Sequence, residues 1–198
     1  MVPFLWLYGA DGVGKSTVAW EIYMRVISGG TRAAFTDFDA IGHLQPDRPE
    51  DPYNHRLRAA NLGAMWQNFH AAGATRIITS GVVETREIAE MYRAAIPGAT
   101  LTLCRLRASP SSLRQRIMYR GRLRGLGTEG ARTGLDLDHL NGLIDFSTRY
   151  AEELDRDDIA DLRIDTDDLD VPTVAQRVLT AAADWAYLAG RITPPEGN

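Results

Sequence analysis

After a short apolar run the chain reads Gly9-Ala10-Asp11-Gly12-Val13-Gly14-Lys15-Ser16-Thr17, a glycine-rich loop closed by a lysine and two hydroxyl residues. Glycines at this spacing let successive backbone N–H groups turn inward, and such a nest at the start of a helix holds phosphate oxygens. The Lys15 ammonium is a compact charge on a flexible stem that can reach β- and γ-phosphates, and the Ser16 hydroxyl can ligate Mg2+. Lys15 is also the single lysine among 22 basic residues, the other 21 being arginine. Gly9, Asp11, Gly12, Val13, Gly14, Lys15, Ser16 and Thr17 are therefore the candidate contacts to a nucleoside triphosphate. A second pair with chemistry to offer is Asp37 and Asp39, two carboxylates flanking Phe38. A carboxylate beside a phosphate cradle can align or deprotonate a nucleophile, whereas one at a strand end can simply cap the next turn.

The elements that position these groups follow from the apolar pattern. Residues 2–8 form a continuous apolar run, as in a central parallel strand covered on both faces. A helix from about Lys15 to Ile27 ends at Gly29-Gly30, and a second strand at 31–36 leads to Asp37. Residues 42–54 carry three prolines and read as a loop, before a helix over 55–72. Further strands are expected at 75–79, 99–106 and 161–165, and helices at 84–95, from 110 to about 122, 137–154 and 172–188. Five strand–helix alternations predict an open parallel α/β sheet with helices on both faces and ligands at the strands' carboxyl ends.

Other nucleotide-binding classes leave marks that are missing here. A GTPase needs Asn-Lys-x-Asp to read its base, and the one lysine is already in the glycine-rich loop. No apolar strand ends in Asp-Glu, as a motor or transport ATPase would require; the third ends in Thr79-Ser80-Gly81.

With Walker A after the first strand and Asp-x-Asp after the second, the chain resembles the P-loop small-molecule and nucleotide kinases. It looks most like the branch with shikimate kinase, gluconate kinase, adenylylsulfate kinase and chloramphenicol phosphotransferase. The resemblance spans about Phe4 to Leu179 and implies a five-stranded parallel sheet of order 2-3-1-4-5 with a small arginine-rich lid. It implies an acceptor-covering segment at about 42–72 and a lid at about 118–134; the chain length predicts one domain over residues 1–192, and the two prolines and glycine of 193–198 a disordered tail. By position, Asp37 would stand on the metal side with Ser16, and Asp39 would be the acceptor-side base. Gly81, after the third strand, would lie next to the acceptor, although the Gly-Gly-Gly run of shikimate kinase is absent.

Between Arg105 and Arg124 there are seven arginines and no acidic residue. Arg116, Arg120 and Arg124 recur every four residues, stacking like charges on one helical face unless an anion or acidic partner lies opposite. The resemblance implies that Arg116, Arg120 and Arg124 meet nucleotide phosphate, with Arg120 foremost, and that Arg114 stacks on adenine. Glycines 121, 125, 127 and 130 supply flexible points for such a lid. The competing reading is an ordinary solvated face, or pairing with the ten acidic residues between Glu152 and Asp170. Thr166 opens the expected adenine-side loop.

For the acceptor, Arg56 and Arg58 are candidates to hold an anionic group, and Glu84 either contacts it or begins a helix. Trp66 and Phe69 read as core, and His43 and His55 as loop or cap residues. The resulting expectation is an ATP- and Mg2+-dependent phosphotransferase acting on a hydroxyl of a small molecule. Two alternatives stay open: a nucleoside or nucleotide kinase, and a non-catalytic ATP-binding regulatory protein.

Composition bounds the setting. A chain of 198 residues, 44% hydrophobic, with net charge −4 and pI near 5.6, argues against nucleic-acid coating. The lone Cys104 makes no internal disulfide, and the apolar start is too short for a bilayer span and lacks a basic leader. A cytoplasmic protein, monomer or homodimer, without nucleic-acid or membrane partners is expected.

Overall fold

The computed structural model describes residues 1–45, 49–51, 53–124 and 137–187; of residues 122–124 and 187 the backbone alone is described. The strands are β1 (Val2–Tyr8), β2 (Ala33–Asp37), β3 (Arg76–Ser80), β4 (Ala99–Arg107) and β5 (Leu162–Asp165). The helices are α1 (Lys15–Ser28), α2 (His55–Ala71), α3 (Arg86–Ala94), α4 (Pro110–Arg124), α5 (Leu137–Asp157), α6 (Val171–Ala181) and α7 (Ala183–Tyr187). All strand pairs are parallel and the order is β2-β3-β1-β4-β5, as the resemblance implies. The expected tail at 193–198 and the stretch 125–134 of the expected lid lie outside the described residues. So does the side chain of Arg124.

The unbroken apolar run of β1 has a direct cause. Successive side chains point to opposite faces of a strand, so a strand covered on both sides is apolar at every position. Leu5 and Leu7 join a core with Val18, Ile22 and Val26 of α1 and Val174 and Val178 of α6. Phe4, Trp6 and Tyr8 join the opposite core with Leu62 and Trp66 of α2 and Ala89 and Tyr92 of α3. Trp66 is buried as core, as expected.

Two helices differ from the sequence expectation. Helix α3 starts at Arg86, because Thr85 caps it by accepting from the Ile88 N–H at 3.2 Å. Glu84 is thereby left in the loop rather than in a first turn. The expected helix over 172–188 divides at Ala182 into α6 and α7. Arg76 of β3 is almost wholly buried and donates from Nη1 to the carbonyls of Trp185 and Ala186 at 2.7 and 2.6 Å. A guanidinium placed on two buried backbone carbonyls gives each a charge-assisted hydrogen bond. Its Cζ also lies 5.5 Å from the centre of the Trp185 ring.

Arg76→Ala is expected to destabilise the fold by about 2–4 kcal/mol, since it removes two buried charge-assisted hydrogen bonds and opens a cavity. Arg76→Met should cost less, because it refills the space. Denaturant midpoints of the two variants check this.

Candidate active site

The phosphate-binding loop is shaped by close approach. At Gly9 the chain leaves β1 with φ +145°, and a Cβ there would lie 2.4 Å from the Leu106 carbonyl oxygen of β4. Only glycine fits so near another backbone. Gly14, at φ +97°, then starts α1 from the left-handed region without any side-chain cap. Among the described residues, no protein group accepts from the backbone N–H of Gly14, Lys15, Ser16 or Thr17. An uncapped helix start framed by glycines is a nest of free donors carrying the positive end of the helix dipole, and phosphate oxygens fit it. Lys15 Nζ lies within this loop, donating to the Ala10 carbonyl at 3.2 Å and to Asp11 Oδ1 at 3.1 Å. From outside, Ser147 of α5 donates to the Asp11 carbonyl at 2.8 Å and braces the turn.

Beside the loop, the structure joins Ser16 to Asp37. The Ser80 hydroxyl donates to Asp37 Oδ2 at 3.0 Å and lies 3.3 Å from the Ser16 hydroxyl. Register explains the meeting: Ser80 ends β3 opposite both Leu7 of β1 and Asp37 of β2. Asp37 Oδ1 also accepts from the Asp39 N–H at 2.9 Å, so the same carboxylate turns the chain and faces the loop. Two hydroxyls and a carboxylate form an oxygen set suited to a hard cation such as Mg2+. Ser80 drew no separate notice in the sequence beyond its turn with Gly81.

A cavity of about 310 Å3 opens next to Asp11 and Asp39, lined also by Tyr53, His55, Arg58, Val82, Glu84, Phe146, Tyr150 and Glu153. The Asp39 carboxyl retains open surface but is crowded by the cavity walls. Its pKa is raised from the ordinary value, first by this partial desolvation and then by Asp37, with Lys15 and Arg58 opposing. Arg58 lines the cavity, whereas Arg56 lines a separate hollow with Leu44, Glu50 and Asp51. Residues two apart on a helix point about 200° apart, so one helix face cannot present both. Gly81 is not in the cavity wall. Its carbonyl accepts from Trp6 Nε1 at 3.3 Å, and a Cβ there would meet Phe38 Cβ at 2.8 Å.

His55, expected as a loop or cap residue, is buried at the first position of α2. Its Nδ1 is 3.0 Å from Tyr92 Oη, and its Nε2 is 3.1 Å from Glu84 Oε2 without the alignment of a hydrogen bond. Glu84 reaches it because α3 begins two residues later.

On the opposite flank, Arg116 donates to Thr166 Oγ1 at 2.8 Å and to the Thr166 carbonyl at 2.7 Å. These two residues line a hollow of about 160 Å3 with Gly12, Val13, Gly14, Thr17, Val18, Leu169, Val171 and Val174. Arg114 and Arg120 are exposed and lie outside that lining. Two other arginines of the cluster serve the fold: Arg105 pairs with Asp155 at 2.9 Å and Arg107 with Asp165 at 2.8 Å. The acidic run that follows thus neutralises the strand end of the cluster. No helix among the described residues is long and apolar enough to cross a membrane.

No protein-family model matches the chain, and no curated protein matches it in sequence. Solved structures do match. A gluconokinase from Sinorhizobium meliloti 1021 is similar at a TM-score of 0.58, with 20% identity, covering 93% of this chain and 93% of that one. A sugar kinase from Janibacter sp. HTCC2649 has a TM-score of 0.60 and 17% identity over 96% of this chain and 100% of its own. A tunicamycin resistance protein from Deinococcus radiodurans has a TM-score of 0.58 and 17% identity over 98% of this chain and 100% of its own. At such identities the likeness is one of fold. The chain has the P-loop kinase fold, a five-stranded parallel sheet of order 2-3-1-4-5 with helices around it.

Proposed function

We propose that this protein transfers the γ-phosphate of Mg2+-bound ATP to a hydroxyl group of a small molecule. The observation that carries the reading is the placement of Asp39 on the wall of a cavity that shares Asp11 with the phosphate loop. A protein that only binds ATP needs no such second chamber. The kinase fold of the structural neighbours supports the same reading.

Mg2+·ATP, when bound, supplies the transferable phosphoryl group. The free N–H groups at the start of α1 and the Lys15 ammonium hold its phosphates, and the Lys15 stem is long enough to exchange Asp11 for phosphate. Ser16 and Asp37, bridged by Ser80, hold the metal. The hollow between Thr17, Arg116 and Thr166 receives the base side. Arg120, Arg124 and Arg114 are assigned to closure over the nucleotide. Asp39 orients the acceptor hydroxyl and takes its proton. A carboxylate of raised pKa is a stronger base than an ordinary one. Phosphoryl transfer asks little more of a protein than position and charge compensation. On the acceptor side, Arg58 and Glu84 are assigned as contacts. Arg56 and Gly81 are assigned as supports of that wall rather than contacts.

Lys15→Ala is expected to lower phosphoryl transfer by about 10²–10³-fold or more, since it removes a charge from the transferring group. A coupled assay for ADP release, with product mass as a control, measures this.

Asp39→Asn is expected to lower kcat by about 10²–10⁴-fold. The wild-type rate should fall on acidification at a pH above the ordinary carboxylate range, because protonating Asp39 removes the base. That acidic limb should vanish from the residual activity of the variant. Since the folded pKa is raised, the charged carboxylate costs stability as pH rises through it, and Asp39→Asn should melt at the same or a higher temperature. A pH–rate series and thermal melts at neutral pH test both halves.

A further inference from the structure

We propose that Ser80 is a positioning residue for the magnesium site, connecting Ser16, which touches the cation, to Asp37, which acts on it from behind. This rests on the phosphotransferase reading above and arranges that site in series. The charge of Asp37 reaches the cation through two hydroxyl groups rather than alongside Ser16.

Exposure sets the order of the three residues. Ser16, in the first turn of α1, is exposed, Asp37 is half-buried, and Ser80 is wholly buried. Ser16 is therefore open to a ligand, and Ser80 presents no surface to an incoming ion. Both oxygens of Asp37 are already engaged, Oδ1 by the Asp39 N–H at 2.9 Å and Oδ2 by the Ser80 hydroxyl at 3.0 Å. The Ser80 backbone is pinned as well. Its carbonyl accepts from the Phe38 N–H at 2.9 Å, and the next N–H, that of Gly81, donates to the Leu7 carbonyl at 3.2 Å. Paired with β1 on one side and β2 on the other, Ser80 has little freedom to leave its place between Ser16 and Asp37.

The hydroxyl protons give the series its direction. Ser80 has one proton and two acceptors within reach, Asp37 Oδ2 at 3.0 Å and Ser16 Oγ at 3.3 Å. The carboxylate is both nearer and charged, so it is the stronger acceptor and takes the proton. The lone pairs of Ser80 Oγ are then left for Ser16. A hydroxyl that lends a lone pair to a cation keeps its own proton and needs an acceptor for it. Among the described residues, Ser80 is the side chain within hydrogen-bond distance of Ser16 Oγ. Each hydroxyl is thus polarised by the group behind it, and Ser16 becomes a stronger ligand than an isolated serine. Without the Ser80 hydroxyl, Asp37 keeps its charge but loses its connection to Ser16.

Binding of AMPPNP to the full chain, measured by calorimetry at saturating Mg2+ and again in EDTA, tests this. The ratio of the two affinities reads the metal contact, whereas a folding defect lowers both and leaves their ratio alone. Ser80→Ala should reduce the ratio about tenfold, and Asp37→Asn by at least as much. In a series the double variant should fall no more than about twofold below Asp37→Asn, whereas independent contacts would multiply to about 100-fold. An unchanged ratio in Ser80→Ala, or multiplied losses, would overturn the series assignment. A wild-type ratio of about one would overturn the metal site and the assignment with it. The expected ratios without phosphoryl transfer to any hydroxyl compound would overturn the phosphotransferase reading and leave the assignment standing.

Discussion

The position of β1 between β3 and β4 constrains everything else in the molecule. Leaving β1, the chain crosses to β2 on one side, while the later strands β4 and β5 extend the sheet on the other. The connections therefore part above the end of β1, and a crevice is left at that switch point. The loop after β1 must lie in the crevice, packed so tightly on β4 that the Leu106 carbonyl excludes a side chain at Gly9. Because all five strands are parallel, Ser80, Asp37 and Thr166 are delivered to the same edge without further design.

The same geometry ties the core to the cavity. Trp6 of β1 meets Phe38 and Tyr92 edge-on at ring distances of 4.6 and 4.9 Å, and Tyr92 carries His55. Phe38, buried between the two aspartates, fixes the short turn that aims Asp37 at the loop and Asp39 at the cavity. An apolar residue between two acids thus serves as a hinge pin, and its burial gives the Asp-Phe-Asp triplet its two directions.

What the sequence disclosed and what it concealed divide along physical lines. The phosphate loop was readable because a backbone that turns its donors inward tolerates few side chains, and Gly9, Gly12 and Gly14 record that restriction directly. The sheet was readable because burial on both faces leaves no polar position in β1. Ser80 was not, since its value lies in the register that sets it across from Asp37. Arg56 and Arg58 were indistinguishable until the rotational phase of α2 was known. His55 and Glu84 could not be paired on paper, because their meeting depends on Thr85 rather than Glu84 starting α3. Arg105 and Arg107 belong in composition to one basic stretch with Arg116, yet strand pairing hands them to Asp155 and Asp165.

Helix α5 is at once a brace for the glycine-rich loop, through Ser147, and a wall of the cavity beside Asp39, through Phe146, Tyr150 and Glu153. A rigid rod that touches two chambers cannot be moved by the contents of one without changing the shape of the other. Asp11 is anchored from two sides, its carboxylate by Lys15 and its carbonyl by Ser147. Any displacement of α5 by an occupant of one chamber would be felt in the other, and by thermodynamic reciprocity equally in both directions.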